Sequence, residues 1–291
     1  MERAAVGGLQ NEILWIPDSF GDIDGDFWRH GGLNALYEMI KADVLGPDIG
    51  EPVRFGPPIA KPEKVICIGL NYRDHANETG SAIPDEPIVF MKAPNCVIGP
   101  NDEILIPRGS TKTDWEIELG VVIGKRSRYL DSPDEASKVI AGYCISHDVS
   151  EREFQLERGG QWDKGKSCET FNPLGPWLVS ADEIDDPQNL SLSLEVNGVS
   201  RQSGSTSDMI FEVNYIIWYL SQFMVLEPGD LINTGTPAGV SLGHDDTPFL
   251  REGDVVELSI DGLGSQRSVI GQAQAESREV GRVMVPRVIE P

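Results

Sequence analysis

The sequence predicts a mainly β, α+β chain, and three of its features carry that prediction. Apolar runs of strand length, such as residues 64–69, 88–92 and 142–148, recur between clusters of Gly, Pro and Asp. One longer stretch, residues 113–124 (TDWEIELGVVIG), alternates its side chains as a strand does. Sustained helical spacing is scarce, and its clearest case runs from Asp208 to Met224. At 291 residues the chain can bury a sizeable core. Texture divides it into a Gly-, Asp- and Pro-rich small N-terminal domain and linker over residues 1–60, a strand-rich body over 61–271 and a polar tail over 272–291.

Composition bounds the function. Hydrophobic residues make up 40% and charged residues 24%, which is ordinary for a globular protein. A net charge of −23 and a pI of about 4.4 argue against nucleic acid and against anionic membrane surfaces, because Lys and Arg form no run that could neutralise phosphates. A small acidic ligand would therefore need positive charge gathered locally. Cys67, Cys96, Cys144 and Cys168 show no C-x-x-C or zinc spacing and read as small buried hydrophobes in a reducing compartment. With no signal-peptide pattern at the start and no apolar run of spanning length, a cytoplasmic location is expected.

In order along the chain, residues 33–40 have the spacing of a short helix, and GPPIAKP closes the first segment. The acidic run 22–26 invites a calcium-loop reading and fails it. Phe27 stands where that loop needs Gly, and Leu33 where it needs Glu, so an acidic turn is expected. Residues 64–69 form a strand that runs into a turn carrying His75 and Glu78, which three-residue spacing puts on one face. A carboxylate beside an imidazole is either an ordinary surface pair or a general acid/base dyad. The polar loop 79–87 could cover a site. Residues 88–92 form a strand ending on Lys92, either a surface position or a cation aimed at an acidic substrate.

In the strand at 113–124, Glu116, Glu118 and Val122 share one face, left open by Gly120, and Ile117, Leu119, Val121 and Ile123 share the other. Two carboxylates on an apolar backing repel unless they are solvated or share a cation. Oxygen ligands without nearby Cys or His favour Mg²⁺, Mn²⁺ or Ca²⁺ over zinc. A helix is expected over 134–141 and then a strand delivering Asp148 at its end, with His147 turned to the opposite face. Ser150 and Glu153 have capping-box spacing for a helix reaching about Arg158, with Arg152 and Gln155 on one face. The 159–167 loop presents Lys164 and Lys166 but lacks the Walker spacing, so nucleotide binding is excluded. Further strands are expected over 174–179 and 190–199, with a hairpin at Asn197-Gly198. A helix follows over 208–224, capped by Ser207 or Asp208. Next, 231–239 (LINTGTPAG) is a strand opening into a loop whose amides and Thr236 hydroxyl could hold a carboxylate. Strands at 254–260 and 266–271 complete the body.

Together, D-W-E-I-E-L-G-V-V-I-G, N-Y-R-D-H-A-N-E, G-Y-C-I-S-H-D-V-S, G-K-S-x-x-T-F-N-P-L-G-P and N-T-G-T-P-A-G-V stand in an order that resembles the fumarylacetoacetate hydrolase family over about residues 60–271. Within it, the chain looks most like the branch acting on acylpyruvates and 2,4-diketo acids, and the 162–176 stretch looks like enzymes for 2,4-diketo-3-deoxy-L-rhamnonate. The resemblance implies a mixed β-sandwich or roll with flanking helices, usually a homodimer. It implies Mg²⁺ or Mn²⁺ on Glu116, Glu118 and Asp148, a His75–Glu78 dyad on a mobile lid, and Lys166 facing the substrate. Lys92, Gln155 and Thr236 match substrate-contacting positions, and Arg73 is a further polar candidate. The expected activity is metal-dependent C–C hydrolysis of a diketo acid to pyruvate or a related 2-oxo acid plus a carboxylic acid. Oxaloacetate decarboxylation or isomerisation of a 2-oxo acid on the same scaffold is the alternative.

Overall fold

The computed structural model describes residues 4–7, 13–50, 54–244 and 248–274, so most of the 272–291 tail lies outside the described residues. The N-terminal segment builds a hairpin from Ala5–Gly7 and Ile13–Trp15 and two helices, Gly25–Arg29 and Gly32–Lys41. The acidic turn is a helix cap: Asp24 accepts from the amides of Asp26 (2.9 Å) and Phe27 (3.3 Å). Ile16, Phe27 and Leu36 close a small core of their own. Arg29 ties the segment to Glu63 at 2.5 Å, and the Tyr37 hydroxyl reaches Ser180 at 3.1 Å.

The body is built around two larger mixed sheets. The first runs Val179–Ser180, Ile140–His147, Ile117–Ile123, Leu231–Asn233, Val65–Gly69, Ile88–Lys92 in spatial order, antiparallel except where Leu231–Asn233 lies parallel to Val65–Gly69. The second runs Val199–Ser205, Ser191–Val196, Val255–Ile260, Gly264–Gln272, Ile104–Ile106, with its last pair parallel. Period-two alternation divides the residues between faces. Ile117, Leu119, Val121 and Ile123 join Leu192, Leu194, Val256 and Leu258 in the main core, while Val65, Cys67, Val122 and Leu231 pack on the other face. The central strands are thus buried on both sides, as sandwich strands covered by further elements are.

Several elements depart from their sequence reading. The 113–124 stretch is two strands, Thr113–Asp114 and Ile117–Ile123, broken at Trp115 and Glu116. The helix expected over 134–141 is a 3₁₀ turn, Pro133–Lys138, because Ile140 and Ala141 already belong to the next strand. The capping box is not used. Ser150–Glu151 pairs with Thr113–Asp114 as a short strand, Ser150 donates to the Asp148 carbonyl (3.0 Å), and only a π-helical turn, Glu153–Glu157, follows. The strand expected over 174–179 is interrupted by Pro176, leaving a single bridge at Leu174 and a short pairing at Val179–Ser180. The long helix shortens to Val213–Ser221, since Asn71 captures the Phe211 amide (2.8 Å) and carbonyl (3.0 Å) before it starts. The hairpin at Asn197-Gly198 forms as expected, both residues at positive φ.

Candidate active site

Strand register assembles the carboxylates. Pairing of Ile117 with His147 and of Glu118 with Ser146 carries the end of one strand past the start of the other, and the Asp148 amide closes on the Glu116 carbonyl at 3.0 Å. Glu116, Glu118 and Asp148, all buried, then offer oxygens within 4.8 Å of one another. Three cations flank them. Lys166 Nζ bridges Glu116 (2.5 Å) and Asp148 (2.7 Å) and lies 5.0 Å from the centre of the Phe90 ring. Arg152 donates to Asp114 (2.8 Å), Glu116 (2.7 Å) and Gln155 (3.0 Å). Lys92 donates to the other Asp148 oxygen and to the carbonyls of Val149 and Phe171.

Burial and charge act against each other here. Burial favours the neutral form of Glu116, but the Lys166 and Arg152 charges outweigh it and hold the carboxyl far below the usual range. Burial would likewise lower Lys166, and the Asp148 and Glu116 charges instead raise it. Glu118 has no such partner among the described residues. Its donor among the described residues is the Gly235 amide at 2.8 Å, and burial followed by the Asp148 and Glu116 charges pushes it well above the carboxylate range. A buried carboxylate so weakly compensated, in a cluster of hard oxygens, fits a divalent ion such as Mg²⁺ or Mn²⁺, which Glu116, Glu118 and Asp148 could hold.

Residues Arg73–Glu78 form a one-and-a-half-turn helix that places His75 Nδ1 3.2 Å from Glu78 Oε1. An ionised carboxylate only accepts, so Nδ1 carries the proton and Nε2 is left as the base. The other Glu78 oxygen accepts from the Gly239 amide (2.7 Å) and from His244 Nε2 (2.9 Å). Burial alone would raise Glu78, and these three donors bring it below its ordinary value. The NTGTPAG loop therefore does hold carboxylates, and they are the protein's own. Gly235 and Gly239 have φ of +98° and +105°, and a Cβ would stand 2.7 Å from Asn71 Cβ and 1.9 Å from the Arg201 carbonyl oxygen. Only glycine can present those two amides.

A cavity of about 440 Å³ is lined by His75, Glu78, Glu116, Glu118, Asp148, Lys166, Gln155 and Thr236 together. Thr79 and Ser81 of the 79–87 loop also reach it. Thr236 Oγ1 donates to the Ile117 carbonyl (2.8 Å) and accepts from Gln202 (2.8 Å). Lys92 and Arg73 do not line the cavity. Lys92 backs Asp148 from behind, in place of the substrate contact expected of it, and Arg73 donates to the carbonyls of Asp208 (3.1 Å) and Met209 (2.7 Å). His147 is buried with neither ring nitrogen hydrogen-bonded, and burial followed by the Lys92 charge lowers it to about 3. Sequence reasoning missed Arg152 as a site residue, although its shared face with Gln155 was readable. It also missed Asp114 and His244, the latter for want of any local signal, since its partner lies 166 residues away.

Residues 64–271 match the sequence profile of the fumarylacetoacetate (FAA) hydrolase C-terminal family. A Burkholderia cenocepacia protein with a provisional hydrolase name is 49% identical over 271 residues, covering 93% of this chain and 94% of its own. The fumarylacetoacetate hydrolase from the psychrophile Exiguobacterium antarcticum superposes with a TM-score of 0.72 at 39% identity, covering 80% of this chain and 83% of that one. The 2-hydroxyhepta-2,4-diene-1,7-dioate isomerase from Mycobacterium marinum superposes with a TM-score of 0.67 at 31% identity, covering 94% and 98%. A match over residues 64–271, most of the described body, and near-half identity over nearly the whole length agree with the two-sheet architecture and the carboxylate cluster. The chain belongs to the fumarylacetoacetate hydrolase family.

Proposed function

We propose that the protein is a divalent-metal-dependent hydrolase that cleaves the C–C bond of 2,4-diketo acids of the acylpyruvate type. The products are a 2-oxo acid such as pyruvate and a carboxylic acid. The observation that carries this reading is the meeting, in one cavity, of an acidic triad suited to Mg²⁺ or Mn²⁺ and a His75–Glu78 dyad with a free Nε2. The ion, when bound, supplies Lewis-acid polarisation of the 2-oxo acid end.

The chain's own residues account for the remaining steps. His75 Nε2 takes a proton as water attacks the C4 carbonyl, and Glu78 stabilises the resulting imidazolium. Lys166, once its ammonium leaves Glu116 and Asp148, faces the oxyanion of the tetrahedral adduct. As the adduct collapses the C3–C4 bond breaks, its electron pair passes to C3 and delocalises into the 2-oxo carbonyl, and protonation at C3 gives pyruvate. Arg152 and Gln155 hold the carboxylate wall in place beside the substrate. The family's homodimer belongs to the same proposal, and sedimentation tests it.

The isomerase names among the structural relatives support a second reading, proton transfer without attack by water. Metal-stripped protein restored with Mg²⁺ or Mn²⁺ and given an acylpyruvate, a 2,4-diketo-3-deoxy sugar acid and oxaloacetate in parallel separates the two. Pyruvate plus a carboxylic acid from a diketo substrate, only with metal, is the expected result. Pyruvate from oxaloacetate alone, or isomerised substrate without cleavage, overturns the hydrolase.

A further inference from the structure

Beside its carboxylates the cavity carries an apolar lining. Ile68, Phe90 and Trp162 wall it, the last two in edge-to-face contact with ring centres 5.3 Å apart. At its mouth stand Leu156, 44% exposed, and Leu242, 40% exposed, which come from separate turns of the chain. Large apolar side chains left in solvent at a concave site mark a surface that gains by covering apolar ligand atoms. The hydroxyl-bearing residues Thr79 and Ser81 add uncharged polar groups to this lining.

The cations on the wall, among the described residues, are Arg152 and Lys166, and each is bound to protein carboxylates. Next to Leu156, Arg158 is likewise paired, with Glu153 at 2.6 Å. A second carboxylate on the acyl end of a substrate would thus leave water for an apolar lining, in a protein of net charge −23, where the described lining offers no cation beyond Arg152, held by Asp114 and Glu116, and Lys166, which the oxyanion takes up.

We propose that this site takes 2-oxo acids whose distal end is short, uncharged and largely apolar, with room for a hydroxyl near Thr79 and Ser81, and that it refuses distal carboxylates. The proposal deepens the acylpyruvate reading and rests on it for the orientation of the 2-oxo acid end. It separates this chain from the dicarboxylate chemistry named in the 1,7-dioate isomerase relative.

Two paired measurements on the metal-loaded full chain test it. The first compares kcat/KM for 2,4-dioxooctanoate with that for 2,4-dioxoheptanedioate, in which a carboxylate replaces the terminal ethyl group. The expected ratio is about 100-fold or more in favour of the monoacid, because an unpaired charge is being desolvated. The second compares the calorimetric affinities of 2-oxoheptanoate and 2-oxoadipate, which differ in the same way and need no cleavage to be read. The expected order is the same. If neither diketo acid is cleaved, the hydrolase reading falls, and the calorimetric order alone decides the charge preference. Equal or tighter binding of 2-oxoadipate, or equal kcat/KM for the dicarboxylate, overturns the proposal.

Discussion

Glu78 accepts from His75, Gly239 and His244 at once, and this convergence makes the dyad a fixed object more than a surface pair. His75→Ala removes the base and should lower turnover by on the order of 10²–10⁴-fold while leaving Mn²⁺ affinity unchanged by calorimetry. Undiminished turnover would remove the dyad from the mechanism. Among the described residues the His244 ring bonds Glu78, which makes it a positioning residue. His244→Ala should lower kcat about tenfold in the native background and have no further effect in Glu78→Gln, a coupling that a merely structural role would not produce. The depressed pKa of Glu78 also sets a pH dependence. A carboxyl lowered from 4.5 in the folded chain contributes stability that is complete above about pH 4.5 and is lost as pH falls through the depressed value. Glu78→Gln should therefore lower Tm at pH 7, with the deficit fading in acid. A deficit of the same size at pH 7 and pH 3 would contradict the linkage.

At the scale of elements, the site depends on the 234–239 loop being held in register. Asn71 does much of this: Nδ2 donates to the Thr234 carbonyl (2.7 Å) and the Phe211 carbonyl (3.0 Å), and Oδ1 accepts from the Phe211 amide (2.8 Å), all in buried or half-buried surroundings. Asn71→Ala strands those groups and should destabilise the chain by about 2–4 kcal/mol in urea unfolding; a loss below about 1 kcal/mol would show that the loop is held otherwise. The same contact explains what could and could not be read from the sequence. Alternation in 117–123 and the spacing of His75 and Glu78 are local, period-bound signals, and they led to the right faces. The start of the 208–224 helix did not follow from its apolar spacing, because Asn71, 140 residues away, takes the backbone groups of Phe211. Ser150 and Glu153 fit a capping box locally, but strand pairing with Thr113–Asp114 claimed the backbone first. For Lys92, the sequence left open a surface position or a cation aimed at a substrate, and the chain instead buries it against Asp148. That is decided by which strands become neighbours.

Over the whole molecule, of net charge −23, Lys92, Lys166 and Arg152 converge on Asp114, Glu116 and Asp148, and Glu118 has no cation bound to it among the described residues. No helix among the described residues is long and apolar enough to cross a membrane. Because three protein cations already balance most of the cluster, metal removal should abolish turnover while lowering Tm by only a few degrees. Metal at about 100 times its Kd adds roughly 2.7 kcal/mol to the folded state. Glu118→Gln should erase that shift, and a wild-type Tm indifferent to metal would contradict the site. The central claim is that water, activated by His75, becomes part of the carboxylic acid product. Turnover of an acylpyruvate by the metal-restored protein in ¹⁸O-labelled water tests it directly. The account predicts one ¹⁸O atom in the released carboxylic acid per pyruvate formed. Pyruvate released without a labelled acid, or label-free rearrangement of the substrate, would contradict it.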